Sequence, residues 1–269
     1  MRLINSSFEI LEQAPEIQGV KQQIERAGRT CYKSEDKITD TSCEEFVNRM
    51  VNSGHGAMLE HGTVYLMIHN EVDDFESIYE DFEQNKYSKT NYDGSYLYVT
   101  TNYRVLIENG WLYTLDYQCE PTALHEKRIT VKFILPISIS REFIRHRTAS
   151  FAEQSTRYCN YSKSKFGEEL TFITPYWYDD VDSYTKNEFD RGLQYAEGYY
   201  MFMIDKGMKP QEAREILPLC TKTELVMTAF ISDWKHFFKL RCHSTAHPQA
   251  RELAIPLQEE FIKKGFING

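Results

Sequence analysis

The chain of 269 residues lacks most of the short signatures that mark a chemistry from sequence. It has no Gly-x-x-x-x-Gly-Lys-Ser/Thr loop and no Gly-x-Gly-x-x-Gly turn, so neither a P-loop nor a Rossmann cofactor site is indicated. Its six cysteines (31, 43, 119, 159, 220 and 242) stand at no metal or redox spacing, and thiols acting as small core residues in a reduced compartment are expected. No apolar run approaches a membrane span, and Met1-Arg2-Leu3-Ile4-Asn5 runs straight into polar residues, so neither a membrane segment nor a signal peptide is read. The expectation is a cytoplasmic protein. Positive charge is in deficit, with 31 Lys and Arg against 40 Asp and Glu for a net charge of −9, which disfavours nucleic acid and anionic membranes as partners. Repeats and low-complexity linkers are absent, and the length allows a full hydrophobic core.

Against that acidic background one segment stands out. Arg145-His146-Arg147 through Ser150 and Glu153-Gln154-Ser155-Thr156-Arg157-Tyr158 packs three arginines, a histidine, two serines and a glutamate into fourteen residues. Guanidinium forks and hydroxyls are the usual apparatus for holding phosphate, and no apolar periodicity accounts for these residues. Arg214 and Arg241 taken singly read as surface ion pairs, and the helix dipole would favour Arg241 at a C-terminus. Beside the loop arginines they become site candidates. His55, Glu60 and His61 do not match the spacing that puts two imidazoles on one helical face, so no metal is expected there. His243 and His247, just before Pro248, suit capping or surface roles.

Periodicity places helices over 16–27 (Ile17, Val20, Ile24, Ala27), from a Ser42/Glu45 capping box through Val51, and over Val72–Phe82. Thr63–Ile68 reads as a strand, 55–61 as a turn, and Lys86–Gly94 as a polar loop before a β-rich run over Ser95–Ile107. Asn109-Gly110 signals a hairpin into Trp111–Tyr117. Alternating Ile129, Val131, Phe133 and Leu135 predict a strand ended by Pro136. Ser138 or Ser140 then caps a helix whose Arg141 and Arg145 share a face. Residues 148–180 look irregular. Helices follow over 183–206 and 210–217, then an ambiguous 222–231, a helix from Ser232, and a final one over 248–264 that Pro256 bends. The reading is one α/β domain over 1–269, of α+β type, with a mainly antiparallel central sheet flanked by helices and a β-rich insertion at about 70–128.

Arg-His-Arg, seven residues, then Ser-Thr-Arg-Tyr resembles the signature of flavin-dependent thymidylate synthases. Arg29-Thr30-Cys31-Tyr32-Lys33-Ser34, Gly54-His55-Gly-Ala-Met-Leu-Glu60-His61, Arg214-Glu-Ile-Leu-Pro and Asp233-Trp234-Lys-His236-Phe-Phe-Lys-Leu-Arg241 resemble its other blocks, in the family's order. The resemblance implies the thymidylate synthase-complementing fold and a methyltransferase. That enzyme converts dUMP to dTMP with carbon from 5,10-methylenetetrahydrofolate and hydride from FAD reduced by NADPH, as a homotetramer. By the same resemblance Glu142, Arg145, Glu153, Gln154, Ser155, Thr156, Arg157, Arg214 and Arg241 hold dUMP. FAD is implied at Ala57, Arg145, His146, Arg147, Glu153, Phe230, Ile231, Ser232 and His236. Arg241 stabilises uracil as it loses its N3 proton, and Ser155 assists by hydrogen bonding, no base standing beside it to make it a nucleophile.

Two positions depart from the family: Ala152 stands where Asn is common, and Phe230 where a polar Asn can contact flavin. Asn102 and Arg104 in the insertion are candidates for reaching a neighbouring subunit's site, against the plainer reading of an elaborated sheet edge. Two other functions stay open at this point: flavin-dependent methylation or reduction of another pyrimidine nucleotide, and non-catalytic binding of a nucleotide or RNA.

Overall fold

The structure, a computed structural model, describes residues 1–163 and 167–268. β1 (Arg2–Ile4) and β2 (Ser7–Leu11) lead into α1 (Glu16–Tyr32), α2 (Ser42–Asn52) and the short α3 (Gly56–Leu59). β3 (Thr63–His69), α4 (Phe75–Gln84), β4 (Lys89–Tyr92), β5 (Tyr96–Asn102) and α5 (Tyr103–Asn109) follow. Then come β6 (Arg128–Pro136), α6 (Ile137–Phe143), β7 (Ser150–Glu153), β8 (Thr171–Ile173), α7 (Ser183–Asp205), α8 (Pro210–Ala213), β9 (Lys222–Phe230), α9 (Ile231–Arg241) and α10 (Pro248–Lys263).

The central sheet is antiparallel with strand order β2-β6-β9-β7. Alternation along its strands gives it two apolar faces, as in a sheet covered on both sides. Phe133, Leu135, Leu225 and Met227 face α6, α9 and α10 and pack on Trp234, Phe237, Phe238, Leu257 and Phe261. On the reverse face, Ala152 and Val226 meet Leu11 of β2 and Ala27 of α1. A second antiparallel sheet, β3-β5-β4, buries Leu66, Leu97 and Val99 against Val20 and Ile24 of α1, Phe46 of α2 and Phe82 of α4. Gly28 permits the α1–α2 crossing: a Cβ there would stand 2.5 Å from the Phe46 ring. A parallel β1–β8 pair packs with Leu193 and Tyr200 of α7 in a third cluster.

The expected central strand, the long helices and the α/β class are present, and 222–231 resolves as a strand except for Ile231, which opens α9. Several local expectations change. No capping box forms at Ser42, which lies inside α2; its hydroxyl instead donates to Glu25 at 2.8 Å. The Lys86–Gly94 stretch contains β4, because Lys89–Tyr92 find a ladder partner in β5. The β-rich run stops at Asn102, whose side chain accepts the Val105 N–H and starts α5. Asn109-Gly110 is therefore no hairpin: Gly110, at φ 74°, supplies the left-handed residue that ends α5. Pro136 rather than Ser138 or Ser140 precedes α6, and that helix ends at Phe143, so Arg145 leaves the face of Arg141. The 148–180 stretch contains β7 and β8, with its 164–166 portion outside the described residues. Pro256 is taken up inside α10 on its exposed side, where a carbonyl without a partner can reach water. His247 caps α10, accepting the Gln249 N–H at 3.2 Å.

Candidate active site

Helices α6 and α9 deliver the first group of site residues. Glu142, in the last turn of α6, meets Arg241, the last residue of α9. Arg241 Nη1 donates to Glu142 Oε2 at 2.7 Å, Nη2 to the Glu142 carbonyl, and Nε to His146 Nε2 at 3.2 Å. A guanidinium held at three of its nitrogens has little rotational freedom, which is what a preorganised charge requires. His146 is buried against Phe237, with its ring 5.9 Å from His236. Burial, then the charges of Arg241 and His236, push it down to about 4, so it accepts from Arg241 as the neutral base.

His61 behaves alike in the core. It is fully buried, bonds Thr228 at 2.8 Å, and is pushed down to about 3 by burial and by Arg128. Glu60 turns instead to Arg104, and the stretch expected as a turn at 55–61 contains the short helix α3. Both folded values lie below that of an unfolded histidine. The unfolded chain therefore binds more protons below pH 6.5, and stability falls as pH drops from 6.5 toward 4. Each histidine contributes up to about 1.4 kcal/mol per pH unit in that window. Urea unfolding at pH 7, 6 and 5 should show this slope, reduced in His61→Gln; a wild-type midpoint that does not move with pH would contradict it.

The second group follows β7. Ser155 N–H donates to the Cys31 carbonyl at 2.9 Å, and its hydroxyl accepts the Arg157 N–H at 3.2 Å. No hydrogen bond joins that hydroxyl to an imidazole or carboxylate among the described residues. Arg214 donates to Thr156 Oγ1 at 3.3 Å, and Arg157 to Gln211 at 3.3 Å while lying 5.1 Å over the Tyr158 ring. Glu153 faces the α6 side near Ser140 and Arg141, where burial pushes its carboxyl up. Gln154 points to the opposite face of the sheet and stands apart from this set. Among the described residues, no hydrogen bond or ion pair joins the Ser155–Arg157–Arg214 group to the Glu142–His146–Arg241 group.

A cleft of about 800 Å³ lies beside the Arg-His-Arg segment. Arg147 and Phe230 line one wall; Lys86, Tyr87, Lys89 and Arg104 from the expected insertion line the other. Its floor is Arg128, buried and donating to the Glu60 carbonyl, Thr63 and Ser150 at 3.0, 3.3 and 3.2 Å. Burial lowers that guanidinium to about 10, still a cation at neutral pH. Arg128 and Lys89 lie 5.4 and 5.7 Å from the Phe230 ring. Aromatic faces and several cations in a cleft of that size fit a planar ring carrying a diphosphate, as a flavin nucleotide does. Asp233 ties α9 to the same segment through Thr148 at 2.9 Å.

The remaining flavin candidates sit around the cleft rather than in it: Ala57 on the exposed side of α3, and Ile231, Ser232 and His236 on α9. Arg145 is exposed beside Arg241. Ala152 is buried with Leu11, Ala27 and Val226. The lining residues Lys86, Tyr87, Lys89 and Arg128 were not singled out from sequence. Lys-Tyr-Ser-Lys is a legible signal of cations around an aromatic ring, whereas Arg128 carries none. Asn102 and Arg104 both have partners within the chain, Arg104 pairing with Glu60 and Glu108 at 2.6 and 2.7 Å.

A flavin-dependent thymidylate synthase of Pyrococcus horikoshii is 34% identical over 127 residues, 46% of this chain and 50% of that one. One of Synechocystis is 29% identical over 142 residues, 50% of this chain and 66% of that one. The chain thus spans about half to two thirds of the length of these relatives. The crystal structure of a UMP/dUMP methylase, PolB from Streptomyces cacaoi, aligns at 18% identity with a TM-score of 0.48, covering 98% of this chain and 93% of that one. Residues 113–264, more than half of the sequence and including every block from Arg145 to Arg241, match the family model described as thymidylate synthase complementing protein, and the chain belongs to that family.

Proposed function

We propose that this protein is a flavin-dependent thymidylate synthase, a methyltransferase that reductively methylates dUMP to dTMP with 5,10-methylenetetrahydrofolate, FAD and NADPH. The observation that carries this reading is Arg241, held by the Glu142 carboxylate and carbonyl and by a neutral His146, whose neighbour in sequence, Arg147, lines a cleft that suits a flavin. The guanidinium has N–H groups left over for a substrate, and its fixed charge stabilises a uracil ring that has lost the N3 proton. That anion is richer in electrons at C5, the carbon to be alkylated. Glu142 and Arg145 frame the same end of the nucleotide. Ser155, Thr156, Arg157 and Arg214 supply hydroxyl and guanidinium donors for its phosphate.

FAD, held by Arg147, His146, Phe230 and the outer side of α9, supplies hydride storage and delivery when bound. The separation of the two donor groups within one chain supports a site completed between copies, in keeping with a homotetramer. No helix among the described residues is long and apolar enough to cross a membrane; we place the enzyme in the cytoplasm. Residues 70–128 act as an insertion in a single domain over 1–269, giving the flavin cleft its second wall.

Release of tritium from C5-labelled dUMP, dependent on FAD, folate donor and NADPH together, tests the proposal. Colourless protein that takes up no FAD and releases no tritium would overturn it. Arg214→Ala should weaken dUMP binding by about 2 kcal/mol, roughly thirtyfold, the cost of a lost charged hydrogen bond. An unchanged dissociation constant would remove Arg214 from the site.

A further inference from the structure

The face of the central sheet opposite Arg241 carries a second polar site. Lys132 on β6 and Lys222 and Glu224 on β9 project from this face, and Lys33, just past the end of α1, reaches over them. Glu224 receives Lys33 and Lys132 at 2.6 Å each, and Lys222 as well. Glu35 supplies a second carboxylate, 3.2 Å from Lys33 and 3.6 Å from Lys132. Among the described residues, these three ammoniums share the Glu224 and Glu35 carboxylates.

A pocket of about 340 Å³ opens on this cluster, at the lower end of the range for small-molecule sites. Arg2, Lys33, Lys222 and Gln154 line it together with Tyr161 and Thr171. Arg2 is set there by the β1–β8 register, which puts it opposite Thr171, and it has no ion pair among the described residues. The remaining carboxylate on the wall, Glu169, is engaged by the Met1 ammonium at 3.1 Å. Gln154 is 3% exposed; its Oε1 accepts from Lys222 at 3.1 Å, whereas its Nε2 has no partner among the described residues. A buried amide donor without an acceptor is costly. Here it sits in a pocket lined by the cations Arg2, Lys33 and Lys222 and by one carboxylate, Glu169, that is already engaged, so what the pocket lacks is an anionic acceptor.

The geometry points to a second anion site, formed by Arg2, Lys33, Gln154 and Lys222, that takes a phosphate dianion, free or carried on a small phosphorylated molecule, separately from the Arg241 site. The sheet itself keeps the two apart. Glu153 pairs with Leu225 on the α9 side, while Gln154, the next residue, follows Ala152 and Val226 to the α1 side. Burial and the neighbouring Lys33 and Lys132 lower Lys222 below an ordinary lysine despite Glu224, a crowding that a bound dianion relieves.

Calorimetric titration of the full-length protein with inorganic phosphate tests this. Saturable binding is expected, weakened at least about tenfold by Gln154→Leu, which keeps volume but removes the donor, and by Arg2→Ala at the exposed rim. Arg241→Ala should leave the isotherm unchanged. Repeating the titration with dUMP at saturation separates the two sources of phosphate: retained binding supports a separate site, whereas displacement by dUMP makes the pocket the nucleotide's own seat and overturns the proposal. Absence of saturable binding by folded wild-type protein, or an isotherm unaltered in both pocket variants, overturns it as well.

Discussion

Arg241→Ala is expected to lower the turnover number for dTMP formation by at least about a hundredfold, the scale on which a lone preorganised donor to a developing anion acts. The Glu142 side chain is 28% exposed, so water can reach it once the guanidinium is gone, and the variant should keep its circular dichroism and its thermal midpoint within a few degrees. The loss should fall mainly on turnover rather than on KM, because the charge matters most when uracil has given up its proton. Arg241→Lys should recover little: an ammonium cannot hold the Glu142 carboxylate, its carbonyl and His146 in one plane. Turnover of Arg241→Ala within threefold of wild type would remove the residue from the chemistry and with it the mechanism proposed above.

Glu224→Gln is expected to destabilise the fold by about 3 kcal/mol, the lower end of what removal of one partner from a buried ionic cluster costs. Burial alone would raise the Glu224 carboxyl, but Lys222 and Lys132 hold it down at about 2, so at neutral pH it is the anion on which three ammoniums depend. Its side chain is 4% exposed, whereas those of the lysines are 14 to 27% exposed and can partly rehydrate, which is why the lower end applies. Glu35→Gln, at a half-buried position with longer contacts, should cost under about 1 kcal/mol. Urea midpoints at pH 7 measure both. Equal, small effects would mean that the lysines simply turn outward and that Glu224 holds nothing in place.

The elements that sequence misjudged share a cause. Asn102 looked like the middle of a strand, and Asn109-Gly110 like the tip of a hairpin, because both judgements rest on residue type within a short window. The β3–β5 ladder ends at Asn102 when its side chain takes the Val105 N–H, and Gly110 then becomes a helix stop. Ser138 and Ser140 were plausible caps, yet Pro136 enters α6 directly from the strand, and the Ser140 hydroxyl returns to the Ile137 carbonyl. The strands and helices with strong periodicity, β6 and α1 among them, were legible because their burial pattern is written in consecutive residues.

Sequence alone determined the α/β class, the central strand, the arginine-rich segment and the family to which it points. Those are properties of local pattern and of residue types in a given order. Tertiary structure alone decided that Arg241 rests on Glu142 and a neutral His146, that Arg128 and Lys86–Lys89 border the cleft of Arg147, and that Gln154 turns away from Ser155 toward Lys222. Each of these depends on which face of a sheet a side chain takes and on which distant element covers that face. Such relations are settled by packing between segments dozens of residues apart, and no window along the chain contains them.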